Sequence, residues 1–149
     1  MKKVKYFAYL LVFILFAQTA AAASIGDGDD ALDMFKTYIN TTVQKAKKAE
    51  NPSAKREILD NSFDKIMTTF DRVQQVKALS EKDNKALNLL RDDIQQKKAE
   101  LNGEEGFERV RDKDLNDFAN YVQQDFEQAL SISISATVLV LIIIILLLL

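Results

Sequence analysis

The chain has 149 residues but no cysteine, no histidine and no tryptophan, with only four glycines and one proline. Each shortage excludes something. Without cysteine there is no disulfide framework, so a small exported domain would have to stand on packing alone. Without histidine the commonest general base, the usual catalytic triads and most zinc sites are gone. So few glycines and prolines cannot supply the reversals of an all-β domain. No GxSxG, Walker or GxGxxG pattern occurs. Asp–Glu and Ser–Lys pairs are common on polar helix faces and do not discriminate. The expectation is a protein that is not an enzyme, with no catalytic, cofactor-binding or metal-binding residues.

The charge balance is nearly even, at −2, with acidic and basic residues interspersed. Such a surface is no electrostatic match for nucleic acid. The acidic run Asp27-Gly28-Asp29-Asp30 lacks the central glycine and closing glutamate of a calcium loop. It reads instead as acidic residues at a helix start.

What the chain does have is hydrocarbon at both ends. Lys2, Lys3 and Lys5 precede an apolar run from Tyr6 to Ala17, and Ala21-Ala22-Ala23 follows. That pattern is expected to be a signal peptide over residues 1–23, with Ser24 as the new terminus. Loss of its three lysines would take the charge from −2 to −5. At the other end, residues 136–149 read ATVLVLIIIILLLL, and no charged residue follows Glu127. Counted from Leu130, twenty residues rise about 30 Å as a helix, the thickness of a bilayer's hydrocarbon core. A C-terminal transmembrane segment over 130–149 is therefore expected. It would leave residues 24–128 as an extracytoplasmic domain of an exported, single-pass protein in a bacterial cell envelope. A glycolipid-anchor signal is a weaker match, because SISIS is not a polar spacer.

Between these ends, apolar residues recur at three- and four-residue steps, the period of a helix face. Leu32, Phe35, Ile39, Val43 and Ala46 mark a first helix over about 30–50. Asn51-Pro52 starts a second, with the stripe Leu59, Phe63, Ile66, Phe70, Val73 and Val76. Ser80 with Asp83 resembles a helix cap, which favours a break there. Against that, a coiled-coil-like seam runs on through Leu87, Leu90, Ile94, Lys97 and Leu101. Asn102-Gly103 ends this helix, and Leu115, Phe118, Val122, Phe126 and Ala129 mark the last one. The fold expected is all-α: a small antiparallel bundle of three or four helices, the last continuing unbroken into the membrane.

An up-down-up-down bundle would bring the turns at Asn51-Pro52 and Asn102-Gly103 to one tip, far from the membrane. Lys47, Lys48, Asn51, Lys97, Lys98, Glu104, Glu105 and Phe107 are the expected partner-binding residues there. Ala129, Ser133 and Thr137 repeat every fourth residue, as small contact residues do between transmembrane helices. The expected function is a membrane-anchored interaction or scaffold module, in contact with the lipid bilayer and an unidentified protein partner. The alternative is an accessory subunit of a channel or export machine, forming a homo-oligomer through its transmembrane helix.

Overall fold

A computed structural model describes residues 28–77 and 79–149; the side chains at 28 and 131–133 lie outside the description. The expected signal peptide over 1–23 falls outside the described residues. Five α-helices follow in order: α1 Gly28–Lys48, α2 Pro52–Gln74, α3 Glu81–Asn102, α4 Leu115–Ser133 and α5 Ala136–Leu148. A single 3-10 turn, Asp112–Asp114, leads into α4, and no strand occurs among the described residues.

The helix ends follow local chemistry. Asp29 and Asp30 open α1, while Lys45, Lys47 and Lys48 close it, each sign set against the opposite end of the helix dipole. The Asn51 side chain accepts a hydrogen bond from the Ala54 N–H at 2.9 Å, and Pro52 takes the first helical position. The Ser80 hydroxyl oxygen accepts from the Asp83 N–H at 3.0 Å, so α2 and α3 are separate helices and not one long rod. Gly103 ends α3 in the left-handed region at φ 73°.

Helix α2 is central and touches all four others; α1 packs on α2, α4 and α5, and α3 on α2 and α4. The expected stripes meet inside. Phe126 of α4 lies with its ring centre 5.6 Å from Phe35 of α1 and 6.3 Å from Phe70 of α2. All three are fully buried. Burying side chains of this size contributes about 1.5–3 kcal/mol each. The same contacts place Phe126 at the centre of the core.

The C-terminal stretch departs from expectation. Among the described residues no helix is long and apolar enough to cross a membrane. Helix α4 stops at Ser133, and the backbone is extended at Ile134 (φ −119°, ψ 141°) and Ser135 (φ −70°, ψ 152°). Beyond this bend α5 packs against α1 and α2. The continuous helix expected from Leu115 through Leu149 is therefore replaced by two helices. The physical reason is the hydrophobic effect: folding back removes Val138, Leu139, Ile142, Ile143 and Leu146 from water. Thr69 and Ser62 on α2 lie beside its main stripe and are also buried, as befits a helix covered on several sides.

Candidate functional site

The two turns do meet at one end. Arg56, in the second turn of α2, is buried and reaches three acceptors. Its guanidinium donates to the Leu101 carbonyl at the end of α3, to the Val110 carbonyl at 2.8 Å, and to the Asp112 carboxylate at 3.0 Å. Its Nε is buried without a partner. Alongside, Lys55 donates to the Lys47 carbonyl at 2.7 Å and to Asn116 at 2.9 Å, while Lys47 donates to Asn120 at 3.2 Å. Asn102 donates to Asp60 at 2.7 Å. Four helix ends are thus cross-braced by polar groups, of which Arg56 is buried and Lys47, Lys55 and Asn102 are half-buried; such groups cost free energy unless satisfied.

From this frame projects the loop 103–111. It turns sharply, with Gly103, Glu105 and Gly106 all at positive φ (73°, 53° and 88°). Backbone bonds hold it: the Gly103 and Glu104 N–H groups both donate to the Ala99 carbonyl, and the Val110 N–H to the Glu100 carbonyl. A Cβ on Gly103 would sit 2.7 Å from the Arg109 Cβ, so this glycine is needed for space as well as for conformation. Phe107, 37% exposed, lines a shallow groove of about 370 Å³ with Gln95, Gln96 and Glu105. On the far side of the loop a groove of about 650 Å³ runs past Arg109, Arg111 and Asp117 to Tyr121.

The expected tip residues divide into three groups. Lys48, Asn51, Glu104, Glu105 and Phe107 are exposed. Lys47 and Lys98 are half-buried and engaged, Lys98 with the carboxylates of Asp64 and Asp60. Burial pulls the Lys98 ammonium down, but Asp64 and Asp60 outweigh it and hold its pKa above the ordinary lysine range. Lys97 does not face the tip surface: it is 3% exposed, with Asp93 at 2.8 Å, Asp125 across on α4, and the Tyr121 ring centre at 5.0 Å. Desolvation acts to lower its pKa, yet the two carboxylates prevail and raise it. Lys97 is therefore a locked cation that braces α3 to α4, unfit as a base or nucleophile. Its position in the apolar seam between Ile94 and Leu101 was the visible signal. Arg56 was missed, although it stands three residues before Leu59 on the buried face of α2.

The residues of the expected transmembrane contact face lie on either side of the α4–α5 bend. Ala129 is half-buried on α4 and Thr137 exposed on α5. The extended residues Ile134 and Ser135 interrupt the helix between Ala129 and Thr137. Among the described residues no group of three or more Asp or Glu is placed to hold a metal ion. No protein-family model, curated protein or solved structure matches the chain.

Proposed function

We propose that the chain is a non-enzymatic helical interaction module that acts at a lipid bilayer outside the cytoplasm. Its apolar C-terminal segment would attach it, and its braced tip would meet a protein partner. The observation that carries this reading is the chemistry of α5. A helix lying on the surface of a bundle normally has one apolar and one polar face. Helix α5 has no polar face at all. With one side packed on α1 and α2, it still leaves Ile144, Leu147, Leu148 and Leu149 exposed, Leu148 by 72%. That outer face wants a second apolar surface, and a bilayer is one of unlimited extent. At the other end the tip offers exposed charge beside one aromatic, Phe107, on a rigid frame, which is the usual character of a recognition loop.

The test uses two measurements on cell membranes. Alkaline carbonate washing should leave the chain in the pellet with an intact mass beginning at Ser24 and retaining Leu149; release into the wash overturns membrane attachment. A photo-crosslinker at Phe107 should capture a protein, with lower yield from Lys48→Glu and Glu104→Lys variants. Equal capture by those folded variants would exclude the tip as the contact.

A further inference from the structure

We propose that α5 is a latent membrane-spanning segment. On a bilayer it leaves α1 and α2, the bend at Ile134–Ser135 straightens, and residues 130–149 cross the membrane as one helix continuous with α4. This rests on the membrane reading above and adds a mechanism to it.

Four observations support it. First, the face of α5 hidden in the bundle (Val138, Leu139, Ile142, Ile143, Leu146) and the face left open are equally apolar. Docking uses only one of them; insertion uses both. Second, nothing in the sequence compels the bend. No glycine or proline occurs after Gly106, and Ser135 at the start of α5 makes no side-chain cap bond. Third, the polar latch at the bend is slight. The Ser135 N–H donates to the Asp83 carboxylate at 3.2 Å. In a continuous helix that N–H would donate to the Ser131 carbonyl instead, so straightening strands no donor. Fourth, the Phe35–Phe126 and Phe70–Phe126 contacts join α1, α2 and α4 directly, so these three helices keep an aromatic cluster of their own when α5 leaves.

Length agrees with a bilayer: the twenty residues from Leu130 to Leu149 would rise about 30 Å, matching the hydrocarbon core. A second copy of the chain is a poorer occupant for the open face. The large apolar side chains exposed on α1 and α5 are Met34, Ile144, Leu147, Leu148 and Leu149. A stable protein interface commonly takes about 20–30 residues a side.

The chain has no cysteine, so labels can be placed without background. Spin labels at Met34→Cys and Leu148→Cys report whether α5 is docked, since Met34 and Leu147 line one groove. A fluorophore at Leu148→Cys alone reports shielding from an aqueous quencher. With neutral phosphatidylcholine vesicles the fluorophore should become shielded, and the spin–spin distance should lengthen by about 20 Å, the rise of thirteen helical residues. The companion variant is Ser135→Pro. Proline gives up the Ser135 N–H bond to Asp83 but fits the backbone of the bent form, with φ near −70° at position 135 and an extended residue before it, and opposes helix at both. It should keep the bundle folded and the distance short in the presence of vesicles. Shielding without lengthening would leave membrane contact standing and overturn the straightening. No shielding would overturn both. A Ser135→Pro chain that lengthens like the parent would show that the hinge lies elsewhere.

Discussion

The two ends of the bundle are built on different principles. At the tip, both turns carry a residue that dictates backbone shape: Pro52 in one, Gly103 in the other. Arg56 then ties both to the loop through three acceptors. At the base, neither the α2–α3 connection nor the α4–α5 bend contains glycine or proline. Among the described residues its polar side-chain contacts are exposed: Gln74 to Asn88 at 2.7 Å, Arg91 to Asp71 at 2.8 Å, and Asp83 to the Ser80 hydroxyl and the Ser135 N–H. A turn written into backbone preference stays where it is when its surroundings change. A turn held by packing stays only while the packing is the best available. The tip is therefore the fixed end; at the base the Ser80 cap holds the α2–α3 connection, and the α4–α5 bend, where Ser135 makes no side-chain cap bond, is the part able to rearrange.

The largest expected effect removes what both ends share. Phe126→Ala would leave a cavity between Phe35 and Phe70 and should cost about 3–5 kcal/mol in denaturant unfolding. A loss below about 1 kcal/mol would mean that the aromatic cluster does not hold the helices together. Next comes the tip brace. Arg56→Ala leaves two backbone carbonyls and Asp112 without their donor, and should cost about 3 kcal/mol. The expected signature is faster amide exchange in the loop 103–111 with little change in α5. Faster exchange in α5 as well would erase the distinction between the ends. Gly103→Ala should follow at about 2 kcal/mol, since alanine is strained at φ 73° and its Cβ meets Arg109. Asn at this position relieves the conformation but not the contact, so it should recover only part of the loss.

The same contrast explains what could be read from the chain alone. The four amphipathic helices, the caps at Asn51 and Ser80 and the glycine stop at 103 were legible, because each is a local preference written in a few residues. The meeting of the two turns followed from helix count. The loop's three left-handed residues were only half legible, since Glu105 has no intrinsic reason to adopt positive φ. Arg56 and Lys97 are tertiary facts. A cation at a seam position hints at burial, but only the fold brings Asp112 to the one and Asp125 to the other. The bend at Ile134–Ser135 was not legible at all. Hydropathy reports that a segment will leave water and is silent on whether lipid or protein receives it.

The smallest expected effect sharpens the comparison at the base through pH. The Ser80 hydroxyl, working against a little desolvation and assisted by Ser135 and Lys82, holds the Asp83 carboxyl below the ordinary aspartate range. The folded state thus binds the Asp83 proton less readily than the unfolded chain does. Its contribution to stability is complete above the unfolded value and fades as pH falls through the folded one. Lys97 carries the opposite sign: its raised pKa contributes fully below the unfolded lysine value and is lost only as pH rises through the folded one. Acid should therefore loosen the base through Asp83 without removing the Lys97 charge that braces α3 to α4. The measurement is amide exchange of α5 between pH 6 and pH 3, compared between the parent chain and Asp83→Asn. Asparagine keeps an oxygen that can accept from the Ser135 N–H but cannot titrate. At pH 6 the variant should exchange somewhat faster, by a factor of a few, as expected for an exposed bond contributing about 0.5–1 kcal/mol. Towards pH 3 the parent should approach the variant, because its own carboxylate is being lost. If the ratio between them stays constant across that range, Asp83 does not latch the bend, and α5 is held on α1 and α2 by apolar packing alone.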